Sequence, residues 1–289
     1  MDTLTYTGNQ ILHSLHNNRP FIYDARYKQD GVPKPVVVFV HGFKGFKDWG
    51  TFNLVADRFA EQGFVFVKLN LSHNGTTPEQ PTEFADLEAF GHNNFTIELD
   101  DLSVLVDHLE NGESSIPAVE LNLGQLALIG HSRGGGLVLL KAAEEPRVKA
   151  VVSWAAIDNL EERWPKSFID EWKKKGLVHI ANSRTKQEMP LYYQLVENFQ
   201  ENKERLNIPA AVKSMPQPLL VIHGTADETL PVKMAKDIAS WKEDAELLLV
   251  PESNHTFGGT HPWEGNDLPL DTDLVVNASI AFLEKHLKK

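Results

Sequence analysis

A serine with a glycine two positions before it and another two positions after it stands between a strand-like and a helix-like segment of this 289-residue sequence. The pentapeptide Gly130-His131-Ser132-Arg133-Gly134 has the pattern G-x-S-x-G, follows the apolar run 125–129 and precedes a helical segment that runs through Leu140. A tight strand-to-helix turn of this kind strains the serine backbone and exposes the hydroxyl, and glycines at the flanking positions avoid steric clashes. The pattern therefore predicts that Ser132 is a nucleophile.

A serine hydroxyl needs a base, and the base needs a carboxylate that fixes its tautomer. Two later apolar runs, 219–222 and 247–250, are each followed by a polar loop, and these loops contain Asp227 and His255. The chain order serine, acid, histidine is one of the known orders for such a triad. We predict that His255 is the base and that Asp227 orients it, with the neighbouring Glu228 as the alternative acid.

Acyl transfer also needs two backbone N–H groups that stabilise an oxyanion. Arg133, directly after the nucleophile, is expected to supply one. The apolar run 36–40 leads into His41-Gly42-Phe43, and Phe43 is expected to supply the other. Structural roles are predicted for His41, His131 and His223.

The residues after this loop carry charge but are not assigned a chemical role. Lys44, Lys47 and Asp48 are expected to form a solvated rim beside the site.

Short β-branched apolar runs alternate with segments of helical periodicity along most of the chain. Runs of this length and composition suit strands that are buried on both faces, with helices on each side. The pattern predicts an α/β fold with a doubly wound, mostly parallel sheet. The residues from Ile11 to Asp24 are predicted to form an antiparallel hairpin at the sheet edge. The predicted strands span residues 36–40, 64–71, 125–129, 148–154, 219–222 and 246–250.

More than sixty residues separate the strands that end near Trp154 and begin near Leu219. A structureless loop of that length is improbable in a compact domain. We predict a single domain over residues 1–289 with a helical cap inserted at about residues 157–212. Four residues in this cap are candidates for the substrate pocket: Asp158, Trp164, Trp172 and Tyr192. The aromatic ones suit packing within the cap equally well, with the helical spacing of Trp164 and Trp172 favouring packing. Asp158 could instead cap a helix, the commoner use of an aspartate there.

Composition excludes several classes of function. The chain has 28 basic and 40 acidic residues, a formal net charge of −12, which disfavours binding to nucleic acid or to an anionic membrane surface. It has no cysteine, so disulfides and thiolate metal sites are excluded. We expect a cytoplasmic enzyme that needs no metal and no cofactor, acts on a small-molecule ester, and is either a monomer or a homodimer.

Taken together, these motifs resemble the α/β-hydrolase superfamily, and within it the cinnamoyl/feruloyl esterase-like and dienelactone-hydrolase-like carboxylesterases. The resemblance rests on His41-Gly42-Phe43, the pentapeptide around Ser132, His223-Gly224 before Asp227, and Asn254-His255-Thr256-Phe257. It implies the same triad and oxyanion donors, and a cap that forms part of the substrate pocket. Two features depart from it. Ser72-His73-Asn74-Gly75 replaces an Asp-x-x-Gly-His-Gly turn, and no cysteine nucleophile is present.

The expected activity is hydrolysis of carboxylic esters through an acyl-enzyme, with aryl or hydroxycinnamoyl esters as candidate substrates. Three alternatives remain open at this stage. A peptidase or amidase and an acyltransferase would use the same triad, whereas a non-catalytic ligand-binding protein of this fold would not need it. Dehalogenase chemistry is disfavoured, because Ser132 stands where an aspartate would be required.

Overall fold

A central sheet of eight strands organises the computed structural model, which describes residues 4–161 and 164–288. The strands of this sheet are β1 (Leu4–His13), β2 (Pro20–Lys28), β3 (Lys34–Val40), β4 (Val65–Leu69), β5 (Leu121–His131), β6 (Val148–Trp154), β9 (Leu219–Gly224) and β10 (Glu246–Val250). They lie in the order β1-β2-β4-β3-β5-β6-β9-β10. The predicted sheet and the edge hairpin are confirmed.

Six neighbouring strands of this sheet, β4, β3, β5, β6, β9 and β10, are parallel, whereas β2 runs antiparallel to both β1 and β4. Val40 pairs with Gly130, and His131 pairs with Trp154, so the carboxyl ends of β3, β5 and β6 are level. Ligands of open α/β sheets bind at this edge. Every residue predicted for catalysis follows a strand at this end.

Alternating residues of the strands face two separate hydrophobic clusters, one on each side of the sheet. Val36, Val38 and Val40 belong to one cluster, and Val37 and Phe39 belong to the other. Burial on both faces explains why these strands read as continuous apolar runs rather than as alternating ones.

Helices cover both faces of this sheet. Those outside the insertion are α1 (Phe52–Glu61), α2 (Leu87–Gly91), α3 (Phe95–Glu110), α4 (Arg133–Glu144), α8 (Lys233–Ser240) and α9 (Leu270–Leu287), with a short 3-10 helix at Ala118–Glu120. Apolar residues of α1 and α9 share one cluster, and those of α3 and α4 share the other. The Asn94 side chain accepts a hydrogen bond from the Ile97 N–H and so caps α3.

The segment between β6 and β9 contains α5 (Lys166–Lys175), β7 (Leu177–Asn182), β8 (Gln187–Tyr192), α6 (Gln194–Glu201) and α7 (Ile208–Ser214). β7 and β8 form an antiparallel hairpin of their own. The prediction of a helical insertion missed this hairpin. Gly176 adopts φ +70° and ends α5, which lets the chain reverse directly into β7.

Over the described part of the chain, no helix is long and apolar enough to cross a bilayer.

Candidate active site

Ser132 occupies a strained turn between β5 and α4. Its backbone has φ +58° and ψ −119°, and its N–H donates to the Trp154 carbonyl at 2.8 Å. A Cβ added to Gly130 would lie 2.1 Å from the Gly134 carbonyl oxygen, and one added to Gly134 would lie 2.3 Å from the Val40 oxygen. Both distances are far inside van der Waals contact, so the turn requires glycine at these two positions.

The three predicted triad residues form one hydrogen-bonded chain. His255 Nε2 lies 3.0 Å from Ser132 Oγ, and His255 Nδ1 lies 2.7 Å from Asp227 Oδ2. Donation from Nδ1 to the carboxylate leaves Nε2 free to accept the serine proton. The Asp227 side chain is fully buried, whereas the His255 side chain is 16% exposed. Glu228, the alternative acid, is exposed.

Four donors surround the Asp227 carboxylate. The backbone N–H groups of Thr229 and Leu230 both donate to Oδ1 at 2.8 Å. His223 Nε2 donates to the Leu230 carbonyl at 3.0 Å and also lies 3.2 Å from Oδ2, the oxygen that accepts from His255. Burial would raise the pKa of Asp227, but the hydrogen bonds from His223, His255 and Leu230 outweigh it and hold the pKa well below its ordinary value. The carboxylate therefore stays charged and fixes the orientation of the His255 ring.

Two further histidines lie against the site without joining the triad. His131 Nε2 donates to the His255 carbonyl at 2.8 Å, and its burial, with the charge of His255, lowers its pKa to about 3. His41 Nδ1 donates to the Gly42 carbonyl at 2.9 Å, and burial lowers its pKa to about 4. Both rings are neutral near pH 7 and brace the loops that carry the candidate catalytic groups.

The loop after β3 passes directly against the nucleophile. A Cβ on Gly42 would lie 2.9 Å from the Ser132 Cβ, and Phe43 is the residue directly after this close approach. Arg133 is the first residue of α4, and N–H groups in a first helical turn have no partner within the helix. The two predicted oxyanion donors therefore come from segments that meet at Ser132.

The same loop is anchored by buried charges, and the prediction of a solvated rim was wrong for Lys47. Its side chain is 1% exposed, and its Nζ lies 2.6 Å from Asp24 Oδ2 and 2.5 Å from Asp48 Oδ2. The Nζ of Lys68, the next-to-last residue of β4, lies 2.6 Å from Asp48 Oδ1. The aliphatic stems of both lysines reach inward, and the carboxylates neutralise their charges. This cluster ties the loop to β2 and β4.

A cavity of about 370 Å³ lies between the insertion and α3. Its apolar wall includes Phe95, Leu160, Trp164, Tyr193 and Phe199, and charged residues such as Lys166 and Asp170 stand among the lining residues. The triad side chains do not line it. Phe95 connects the two regions, because its ring also contacts the Arg133 guanidinium, 4.3 Å from the ring centroid.

Of the four predicted pocket residues, Trp164 alone lines this cavity. Trp172 is fully buried within the insertion and donates from Nε1 to the Leu191 carbonyl at 2.8 Å. Tyr192 stacks on His92 with ring centroids 4.2 Å apart, and its hydroxyl bonds to Glu88.

Asp158 lies half-buried in the loop after β6 and is not among the cavity residues. Aromatic composition marked a segment that contributes to the cavity, but it did not separate the rings that face the cavity from those that pack inside the insertion.

Sequence reasoning missed three residues that border the site. Phe95 and Tyr193 line the cavity, and Glu98 pairs with Arg133 at 2.9 Å. The position of Glu98 among buried apolar residues of α3 was the available signal, since a buried glutamate requires a partner. Within residues 4–161 and 164–288, no group of three or more His, Asp or Glu side chains is arranged to hold a metal ion.

Comparison with known proteins extends the likeness over most of the chain. Residues 23–210 match the sequence profile described as the dienelactone hydrolase family. The chain is 26% identical over 225 residues to the predicted esterase YitV of Bacillus subtilis (strain 168). The aligned region covers 77% of this chain and 80% of that protein. It is 26% identical over 260 residues to a monoacylglycerol lipase of Mycolicibacterium smegmatis, covering 81% of this chain and 85% of the lipase.

A solved structure of Est1E from Butyrivibrio proteoclasticus with bound ferulic acid superimposes with a TM-score of 0.71 at 15% identity, covering 96% of this chain and 100% of that one. At that identity the likeness concerns the fold. The profile match extends over more than half of the sequence, including the elbow around Ser132. The chain therefore belongs to the dienelactone hydrolase family and is a hydrolase with the α/β-hydrolase fold.

Proposed function

We propose that this protein is a serine esterase that cleaves carboxylic esters through an acyl-enzyme intermediate. The observation that carries the proposal is the unbroken hydrogen-bonded chain from Asp227 through His255 to the hydroxyl of Ser132. Ser132 stands at a strained turn, and a ligand-binding protein would have no use for this combination of strain and proton relay.

In the first half of the reaction, His255 Nε2 takes the proton of Ser132 while Oγ attacks the ester carbonyl. The tetrahedral oxyanion accepts hydrogen bonds from the backbone N–H groups of Phe43 and Arg133, each of which typically lowers the barrier by about 3 kcal/mol. Asp227 stabilises the imidazolium that forms. Collapse of the intermediate breaks the bond to the alcohol oxygen, which takes the proton from His255, and leaves Ser132 acylated.

Water completes the cycle. His255 accepts a proton from the water as its oxygen attacks the acyl carbonyl. The second tetrahedral intermediate then expels Ser132 Oγ, which recovers the proton. The products are a carboxylic acid and the free enzyme, so each turnover consumes one water and one ester.

For substrate class, we propose esters with an aryl or hydroxycinnamoyl group. The aromatic wall formed by Phe95, Trp164, Tyr193 and Phe199 supports this, because flat rings offer stacking and edge-to-face contacts to another ring. The Est1E structure of similar fold has ferulic acid bound. Because the chain is also similar to a monoacylglycerol lipase, a long-chain acylglycerol is the substrate against which the aryl esters should be compared.

The test is a kinetic assay of the wild type and the Ser132→Ala variant on methyl ferulate, p-nitrophenyl butyrate and a monoacylglycerol. The proposal expects turnover by the wild type, with loss of several powers of ten in kcat in the variant. A higher kcat/KM for the aryl ester supports the proposed substrate class, and a preference for the monoacylglycerol contradicts it.

Amide cleavage and acyl transfer are separate outcomes of the same assay. Faster cleavage of an anilide than of the matched ester would contradict the esterase assignment. Preferential formation of a new ester when an alcohol is added would assign acyl transfer instead. A wild type that neither turns over any substrate nor reacts with a fluorophosphonate would contradict a catalytic role altogether.

A further inference from the structure

A buried ion pair lies immediately behind the nucleophile. Arg133 Nε donates to Glu98 Oε2 at 2.9 Å, and the two side chains are 6% and 4% exposed. Asn93 Nδ2 donates to the other oxygen of Glu98 at 2.7 Å. The glutamate is thus fixed from both sides, and it fixes the guanidinium in turn.

The guanidinium also lies against two aromatic rings. Its central carbon is 4.3 Å from the ring centroid of Phe95 and 5.3 Å from that of Phe43. The ring of Phe90 packs on Phe43 as well, with centroids 5.4 Å apart. Guanidinium and aromatic faces attract each other, most strongly where water is excluded. The Phe43 ring is therefore held between Arg133 and Phe90.

These contacts join the two residues whose backbone N–H groups are the proposed oxyanion donors. One donor belongs to Arg133 itself, at the start of α4, and the other belongs to Phe43, in the loop after β3. No strand pairing spans these two residues, since β3 ends at Val40 and β5 ends at His131. The contact between the Arg133 guanidinium and the Phe43 ring therefore links these two residues through their side chains.

We propose that the Arg133 side chain, oriented by Glu98, is a positioning residue that sets the distance between the two oxyanion N–H groups. This inference rests on the proposed esterase function. Stability alone does not account for the pair, because a buried ion pair is seldom more stabilising than apolar residues of similar volume. Among the described residues Arg133 Nη2 is also buried with no hydrogen-bond partner, which costs stability.

The chain offers a matched control at the other end of the same strand. Lys34, the first residue of β3, pairs with Glu120 at 2.6 Å, and these side chains are 5% and 2% exposed. Glu120 also accepts from the Gly31 N–H at 2.7 Å, so each glutamate has one cationic and one neutral donor. At 3.3 Å per residue, the length of β3 puts this pair roughly 20 Å from the end that carries the active site.

The experiment compares Glu98→Gln with Glu120→Gln on an ester that the wild type hydrolyses. For Glu98→Gln we expect kcat to fall roughly 10- to 100-fold with KM changed little, since small misplacements of catalytic groups have effects of this size. Affinity for a trifluoromethyl ketone, which forms a tetrahedral adduct with the serine, should fall by the same factor as kcat/KM. For Glu120→Gln, kcat and ketone affinity should match the wild type even if the melting temperature falls.

The kcat values are normalised to the concentration of titrated active sites. Equal kcat values for Glu98→Gln and Glu120→Gln would overturn the proposal and leave the Arg133–Glu98 pair with a purely structural role. If Glu98→Gln does not fold, Phe43→Leu removes the aromatic face while keeping the backbone N–H, and the same loss of kcat with unchanged KM is expected. An unchanged kcat in that variant also overturns the proposal. A wild type without esterase activity would instead refute the proposed function, and this inference with it.

Discussion

The elbow around Ser132 and the insertion between β6 and β9 are built by different kinds of contact. At the elbow, backbone packs on backbone, and the space next to the Gly130 and Gly134 Cα atoms is filled by carbonyl groups 2.1 and 2.3 Å from where a Cβ would stand. In the insertion, aromatic side chains pack on one another, with Trp164 and Phe168 stacked at 5.2 Å and Trp172 edge-on to Trp164 at 5.8 Å. The proposed chemistry thus lies in the part held by backbone contacts, and the proposed substrate contacts lie in the part held by side-chain packing.

The largest effect should come from breaking the triad while leaving both regions packed. Asp227→Asn removes the charge that stabilises the His255 imidazolium and allows the wrong tautomer, so we expect kcat to fall about 10⁴-fold. The exposed neighbour provides the control, and Glu228→Gln should retain wild-type kcat. A comparable loss in Glu228→Gln would assign the acid to that residue instead.

The insertion should depend on one ring for its stability. Trp172→Ala removes a fully buried indole and its hydrogen bond to Leu191, so the free energy of unfolding should fall by about 3–5 kcal/mol. Urea denaturation measures this. If the elbow is independent of the insertion, the fluorophosphonate reaction of Ser132 in the folded variant should keep its rate within about threefold. A collapse of that rate would mean that the two regions are coupled.

Two separate glycine-to-alanine substitutions in β5 test whether the elbow depends on backbone packing. Gly130→Ala forces a Cβ against the Gly134 carbonyl, so we expect a loss of about 3 kcal/mol in unfolding free energy together with loss of activity. Gly124, also in β5, is exposed and would meet only the end of the Asn122 side chain at 3.3 Å. Gly124→Ala should therefore change stability by less than about 0.5 kcal/mol. Equal effects would contradict the backbone-packing account.

Acid should lower the free energy of unfolding through His131, which lies in the elbow. The pKa of His131 is about 3 in the folded protein, below the value of about 6.5 in an unfolded chain, so the unfolded state binds the proton first. The stability contribution of this neutral ring is complete above pH 6.5 and is lost as pH falls from 6.5 towards 3, by about 1.4 kcal/mol per pH unit. Urea unfolding from pH 7.5 to 5 measures the slope. His131→Gln should reduce it, whereas His13→Gln, on the exposed face of β1, should not.

The smallest effect should concern binding alone. Trp164→Ala removes one wall of the 370 Å³ cavity without touching the triad. For an aryl ester, KM should rise about 3- to 10-fold at constant kcat, the signature of lost binding that is equal in the ground and transition states. An acetyl ester, which has no aryl group to contact the wall, serves as the control substrate. A loss of kcat with unchanged KM would contradict a binding role for this cavity.

The two regions also differ in how far the sequence predicts them. Ser132, Asp227 and His255 were predictable because each follows a continuous apolar strand, and the parallel order of the sheet brings strand ends together. Glycine at positions 130 and 134 reports a backbone contact directly. Nothing comparable marks the insertion, because an indole looks the same in the sequence whether it is buried, as Trp172 is, or faces a cavity, as Trp164 does.

Charged residues were the least predictable part of the site. Lys47 and Lys68 lie in or beside apolar strands, where their burial depends on Asp24 and Asp48, which are distant in sequence from Lys68. Glu98 likewise depends on a partner 35 residues away. A single sequence does not report such pairings. The prediction that Lys47 is solvated was wrong for this reason.

The central claim is that Ser132, activated by His255, is the group that attacks the substrate. It is tested most directly by treating the folded protein with a fluorophosphonate and locating the adduct by peptide mass spectrometry. The account predicts one phosphonylated residue, Ser132, in the wild type, with labelling abolished in Ser132→Ala and slowed by several powers of ten in His255→Ala. An adduct on any other residue, or labelling of Ser132 at the same rate without His255, would contradict it.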